Sequence, residues 1–337
     1  AVEMDQLVNF ENARRVEIRD VLLSIMDSEM RADAEVQLKY ASKYARIANG
    51  WKKWIGQIEG VQFSKGLDRK RKLEAEFTAR IAADANLWDK YSGLLDEIAV
   101  NNTQIAEGQL KRNEFIETIY YGMEWFPLMV QLQRAKSDVD MDVALVEFNQ
   151  NYSRTVSEKT TAAMLSMALA TFPDLLGDMD EGTFVSTVHD EIDALVELAT
   201  KDEPIELTAV APTASNFNTS AFQAFYAVSP DNTLLQKATE LSAEYMRALM
   251  EVFPERNFYP DANSTLRVTY GKLEGVSPRD AVSYGTTTYL DGAMAKYKPG
   301  DYEFDMPAKL IELYDNKDYG QYSENGKLPV CNIASNH

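Results

Sequence analysis

The sequence holds a single cysteine, Cys331, and only two histidines, His189 and His337, in 337 residues. One cysteine closes no internal disulfide, so it does not report the redox compartment. No apolar run approaches the roughly 18 to 20 residues that a membrane helix requires. The opening AVEMDQLVNFENARR lacks the basic start and apolar centre of a signal peptide, so any export signal is expected ahead of Ala1. Positive charge is short as well: 34 Lys and Arg stand against 53 Asp and Glu, a net charge of -19. Phosphate backbones and anionic lipid would be repelled, and neither nucleic acid nor membrane is an expected partner. What is present is 45% hydrophobic and 26% charged, over a length that buries a sizeable core and makes more than one domain.

From about Asn9 to Phe253 the apolar residues recur at three and four. RRVEIRDVLLSIMDSEM, AEVQLKYASKYARIANGWKKWIGQIEGV, KRNEFIETIYYGMEWFPLMVQLQRA, TFVSTVHDEIDALVELAT and TLLQKATELSAEYMRALMEVF all carry this period, which predicts a bundle of long antiparallel helices. Asp33 and Asp231-Asn232 are suited to cap helix starts, and Pro127 is expected to kink or interrupt the helix that carries it. DEPIELTAVAPTASNF, residues 202–217, holds two prolines, loses the period and reads as the main internal loop.

Beyond FPERNFYPDANSTL the pattern turns to short alternating runs, LRVTYGKLEG, AVSYGTTTYLDG and KLPVCNIAS, with one helical stretch, MPAKLIELYDN. The fold class expected is therefore mainly α, with a helical domain over 1–255 and a β-rich segment over 256–337. Too few strands are predicted to close a barrel or sandwich, which suggests helices inserted into a β domain whose other strands lie elsewhere.

Individual chemistry-bearing residues are sparse. His189 and Asp193 have the spacing of two metal ligands on one helical turn, but two do not make a site, and His189 is read as part of a solvated face. Cys331 is read as a small buried hydrophobe, and KGLDRKRKLEAE as a solvated basic helix face. No metal or cofactor is called for. The informative position is Asn49. Val36, Tyr40, Tyr44, Ile47, Trp51, Trp54, Ile55 and Ile58 form one helical stripe, with Trp51 and Trp54 as core or as cleft wall. Asn49 stands roughly 200° round the helix from Ile47, beside Arg46, Lys52 and Lys53. Gly50 costs about 1 kcal/mol relative to alanine, so this turn is poor for helix stability, and something is expected in exchange. Read by itself, Asn49 is an ordinary surface amide or a binding group.

YPDANSTLRVTYGKLEGVSPRDAV, TTTYLDGAMAKYKPGDYEFDMPAKLIELYDNKDYGQY and GKLPVCNIASNH closely resemble the bacterial dipeptidyl-peptidase 7 and 11 family, and KYASKYARIANGWKKWIGQIEG resembles its helical domain. That family joins a chymotrypsin-type double β-barrel to an inserted helical domain and releases dipeptides from the free amino end of peptides. The resemblance implies a helical lid followed by part of the second barrel. It places the nucleophilic serine shortly after His337, with the catalytic histidine and aspartate ahead of Ala1, so no catalytic residue is expected in this chain and the chain alone is expected to be inactive. His337 is implied to be structural. Asn49 is implied to accept a hydrogen bond from the α-amino group of an oligopeptide substrate, although Gly50 stands where a bulky aromatic is more usual in the family. A periplasmic or cell-surface location is implied, and a homodimer is left open. A non-catalytic helical scaffold and a related serine endopeptidase remain the alternative readings.

Overall fold

The computed structural model describes residues 1–199, 205–259, 264–266, 268, 270–301 and 303–332, the last two as backbone only. His337 and the Cys331 side chain lie outside the described residues, so the readings given to them do too. The chain forms two compact units, residues 1–257 and 258–337. It is mostly helical, with a few short strands toward its C-terminal end.

The first unit opens with α1 (Val2–Gln6) and a π-helical turn (Leu7–Glu11), then α2 (Asn12–Ala32) and α3 (Ala34–Phe63). Asp33 stands between them in an extended conformation that no helix continues, and its Oδ1 accepts from the N–H groups of Glu35 at 2.7 Å and Val36 at 3.4 Å. One residue thus ends α2 and caps α3, and the two helices fold back along each other. They are followed by α4 (Gly66–Ala82), α5 (Ala85–Tyr91) and α6 (Leu94–Phe115), which runs into a second π-helical turn (Ile116–Tyr120). The chain leaves helix at Tyr121–Glu124 and re-enters it as α7 (Trp125–Arg134), with Pro127 in the first turn, where its missing N–H costs no intrahelical bond. Next come α8 (Asp138–Gln150), α9 (Arg154–Leu169), α10 (Glu181–Ala199), α11 (Leu207–Val210), α12 (Pro212–Val228) and α13 (Asn232–Val252), the last capped by Asp231 through the Thr233 N–H at 2.7 Å.

The described part of the expected loop, residues 205–217, is therefore helix for most of its length. Pro212 opens α12 instead of breaking it, because a first-turn residue has no intrahelical N–H bond to lose. The next two N–H groups, of Thr213 and Ala214, donate to Glu191 Oε1 and Oε2 of α10, each at 2.9 Å. The cap comes from a different helix.

Two of the apolar clusters in this unit bear on α3 and its neighbours. The larger of them contains a group of rings: Trp125 and Phe126 of α7 pack with Phe184 of α10 and Phe217 of α12, and Phe115 of α6 meets Phe126 edge to face. The Trp125 indole N–H donates to Thr161 Oγ1 at 3.1 Å, which satisfies the one polar atom in that ring. In the smaller cluster Leu23, Met26 and Met30 of α2 pack on Tyr40, Ile47 and Ala48 of α3 and on Val156 of α9, with Val36, Tyr44 and Trp51 at its margin. The predicted stripe of α3 is thus the face turned to α2. Fully burying side chains of this size contributes about 1.5–3 kcal/mol each.

The second unit pairs β1 (Val276–Arg279) with β2 (Val282–Tyr284) and β3 (Thr287–Tyr289) with β4 (Pro329–Asn332), both antiparallel. Gly275 precedes the first pair where a Cβ would come within 2.5 Å of the Tyr284 carbonyl oxygen, a closeness only glycine allows. The helices α14 (Leu290–Met294) and α15 (Ala308–Asn316) are linked by the Tyr314 hydroxyl, which donates to Asp291 Oδ1 at 3.0 Å. The expected strand LRVTYGKLEG is not one among the described residues of 266–275. Its alternating Leu266, Val268 and Tyr270 side chains stand exposed, so the alternation does not mark a buried face.

Candidate functional site: the Asn49 turn of α3

Asn49 sits in the middle of α3, exposed, directly after the buried pair Ile47 and Ala48. Arg46, Lys52 and Lys53 are exposed as expected. The neighbouring turn is unlike the rest of the helix because a side chain of α2 is pressed into it. The Arg19 Nη1 group donates to the Ile47 carbonyl oxygen at 2.9 Å. A Cβ added to Gly50 would lie 2.2 Å from that same nitrogen and 3.0 Å from the guanidinium carbon. Gly50 therefore leaves the space that the guanidinium fills. This is what the turn receives in return for its weak helix propensity.

Arg19 is held from behind. Its Nε donates to Glu117 Oε2 at 2.7 Å and its Nη2 to Glu117 Oε1 at 3.3 Å, a two-point contact suited to the planar guanidinium. Both side chains are buried, Arg19 at 8% and Glu117 at 3% exposure, so neither charge could be left alone without a large penalty. Glu117 lies inside the π-helical turn Ile116–Tyr120, whose extra residue alters the direction of the side chains that follow it. The Trp54 ring lies against the guanidinium at 4.3 Å from carbon to ring centroid, and the half-exposed Tyr121 at 5.6 Å. Aromatic faces favour a cation so placed.

Trp51 is half-buried at the margin of the smaller cluster, and its indole N–H donates to Asp20 Oδ1 at 2.6 Å. Trp51 and Trp54 are thus brought together with α2. By the helical period they point about 200° and 140° away from Asn49. The seam continues on both sides. Asn12 donates to Gln57 Oε1 at 2.9 Å, Asn113 to Glu11 Oε2 at 2.8 Å, and Arg14 Nη2 to Glu114 Oε1 at 2.5 Å. At the other end the Tyr40 hydroxyl and the Lys43 ammonium both donate to Glu124. Burial, and then the Glu124 charge, push the Tyr40 phenol far above its ordinary range, so it stays a donor. The segment of α3 from Tyr40 to Gln57 is fixed to its neighbours by polar contacts on either side of Asn49.

His189 departs from expectation. It is fully buried, with Nδ1 2.7 Å from the Val185 carbonyl oxygen and Nε2 2.9 Å from Ser157 Oγ. A carbonyl only accepts, so Nδ1 carries the proton and Nε2 accepts from the Ser157 hydroxyl. Burial holds the imidazole below its usual range, against the opposing effect of the Val185 carbonyl. Its presumed helix-face partner Asp193 instead accepts from Arg154 at 2.6 Å, and Arg154 also binds Asp190 and Glu158, each at 2.7 Å. Among the described residues no cluster of three or more His, Cys, Asp or Glu could hold a metal, and no helix is long and apolar enough to cross a membrane.

The sequence matches the peptidase S46 family over residues 1–337. The chain belongs to that family. It is 36% identical to the Asp/Glu-specific dipeptidyl-peptidase of Flavobacterium psychrophilum over 98% of its own length and 50% of the relative's. Dipeptidyl-peptidase 7 of Phocaeicola vulgatus is 28% identical over 99% of the chain and 50% of the relative. The fold is similar to that of Porphyromonas endodontalis DPP11 in complex with the dipeptide Arg-Glu, with a TM-score of 0.76 at 22% identity, over 98% of this chain and 51% of that one. This S46 chain spans about half the length of the curated relatives it matches.

Proposed function

We propose that this S46 chain is the helical lid, with part of the second barrel, of a serine dipeptidyl-peptidase that releases dipeptides from the free amino end of oligopeptides. Asn49 is the group that reads that end. The observation that carries this reading is an exposed amide on a helix turn fixed from below, by Arg19 on the Ile47 carbonyl and by Trp51 on Asp20. An anchor must hold its carbonyl oxygen still, since a misplacement of about 1 Å in a positioning contact can cost up to about 100-fold in rate. A substrate ammonium offers three donors and no acceptor, which a side-chain carbonyl complements. Arg46, Lys52 and Lys53 surround the amide with positive charge, so the anchor also needs a carboxylate, supplied by the barrels. The relatives named for Asp/Glu specificity and those named dipeptidyl-peptidase 7 share dipeptide release, and it is this shared step that the reading carries to the present chain. By the resemblance to the dipeptidyl-peptidase 7 and 11 family, the nucleophile, base and orienting carboxylate come from other parts of the peptidase, and the enzyme acts in the periplasm or at the cell surface.

The test is Asn49→Ala in the full-length peptidase. Loss of a hydrogen bond to a charged group, about 1.5–3 kcal/mol, corresponds to roughly a 10- to 150-fold fall in kcat/KM for a free-amine peptide. The already slow turnover of its N-acetylated counterpart should stay unchanged. Equal losses on both peptides would make Asn49 a general part of the lid, and no loss on either would make it a plain surface residue.

A further inference from the structure

The brace under the Asn49 turn is itself held, because Arg19 is paired with the buried Glu117. Its placement is specific. Of all the carbonyls along α3, Arg19 reaches that of Ile47, two residues before Asn49, and the volume it occupies is the one that Gly50, one residue after Asn49, leaves open. The Ile47 carbonyl already has an intrahelical partner by the regular pattern of the helix, the Trp51 N–H, so the guanidinium adds a second donor on the same oxygen. Glu117 fixes the guanidinium at two points, and Trp54 closes one side of it. The guanidinium is therefore not a flexible tip able to step aside. Any shift of it carries the Ile47–Gly50 turn along.

We propose that Arg19, held by Glu117, is a positioning residue that sets the Asn49 amide for the substrate's amino group through the Ile47–Gly50 turn. This rests on the reading of Asn49 as the amine anchor. Arg19 touches no substrate, and its effect passes through backbone. It follows that Gly50 is required here for the room it gives and not for flexibility, and that an aromatic at this position would be incompatible with the guanidinium where it now stands.

The experiment compares Gly50→Ala, Arg19→Lys and Asn49→Ala, singly and with Asn49→Ala added to each of the first two, in the full-length peptidase on free-amine and N-acetylated peptides. Arg19→Lys keeps the charge facing Glu117 and loses the planar fork, and Gly50→Ala leaves the ion pair chemically whole, so at least one variant is available if the other folds poorly. Each is expected to lower kcat/KM on the free-amine peptide about 10-fold, mostly through KM, with no change on the acetylated peptide. In the Asn49→Ala background neither should cost anything more, because residues acting through one group are not additive. Full activity of both variants while Asn49→Ala loses activity would overturn the positioning role and leave the anchor standing. Losses that add to that of Asn49→Ala would also overturn it. Full activity of Asn49→Ala itself would overturn the anchor, and the positioning role with it.

Discussion

The His189 Nε2 atom accepts the Ser157 hydroxyl hydrogen at 2.9 Å inside the helical unit, while Nδ1–H donates to the Val185 carbonyl at 2.7 Å. The pair has the atoms of a nucleophile and its base. It lies fully buried, and the third position is a backbone carbonyl in place of a carboxylate, so it is a structural tie between α9 and α10.

This tie makes stability depend on pH. Burial depresses the folded-state pKa of His189 below its reference value of 6.5. The unfolded chain then binds the extra proton as pH falls through that value, and the folded chain does not, so stability rises with pH across this range. The contribution is complete above 6.5 and declines as pH drops from there toward the folded-state pKa. His189→Gln, which leaves a buried polar group with poorer partners, is expected to cost about 1–3 kcal/mol at pH 7.5 and visibly less at pH 5. Urea melts of both proteins across that range check this, and a constant difference would contradict it.

Three glycines of α3 separate packing from propensity. Gly56 and Gly60 have nothing within 4 Å of an added Cβ, whereas Gly50 meets Arg19. Gly56→Ala and Gly60→Ala should each stabilise the protein by about 0.5–1 kcal/mol. Gly50→Ala should instead destabilise it by about 1–3 kcal/mol, because the added Cβ overlaps a guanidinium that Glu117 and Trp54 hold in place, and the turn must shift to make room. Chemical denaturation of the three variants decides this, and a gain at Gly50 equal to the other two would remove the steric argument.

Glu191 caps α12 from α10, its two oxygens taking the Thr213 and Ala214 N–H groups. Glu191→Ala leaves those donors unpaired, at a cost of about 1–3 kcal/mol, and should speed amide exchange at Thr213 and Ala214 more than at the end of the same helix. Uniform exchange along α12 would show that the cap is dispensable.

These contacts also mark where the sequence could be read and where it could not. Asp33 and Asp231 cap as their positions suggest, since a cap acts on residues two or three places away. The start of α12 escaped because its cap lies 22 residues upstream of Thr213 on another helix, so Pro212 appeared as a breaker. His189 was legible: it follows Val185 by four residues and precedes Ile192 by three, which puts it on the buried face, and the Asp193 spacing drew attention to the wrong neighbour. The weak turn at Gly50 was visible in the sequence, but its cause was not, because Arg19 and its partner Glu117 are 98 residues apart. The exposure of Asn49 followed from the helical period alone.

Everything proposed for the α3 turn depends on Asn49 binding the amino end of the peptide. A crystal structure of the full-length peptidase with a dipeptide bound tests it most directly. The dipeptide's amino nitrogen is expected about 2.7–3.2 Å from Asn49 Oδ1, with Arg19 still donating to the Ile47 carbonyl. An amino nitrogen held by other residues, with the Asn49 amide more than about 4 Å away and facing solvent, would contradict it.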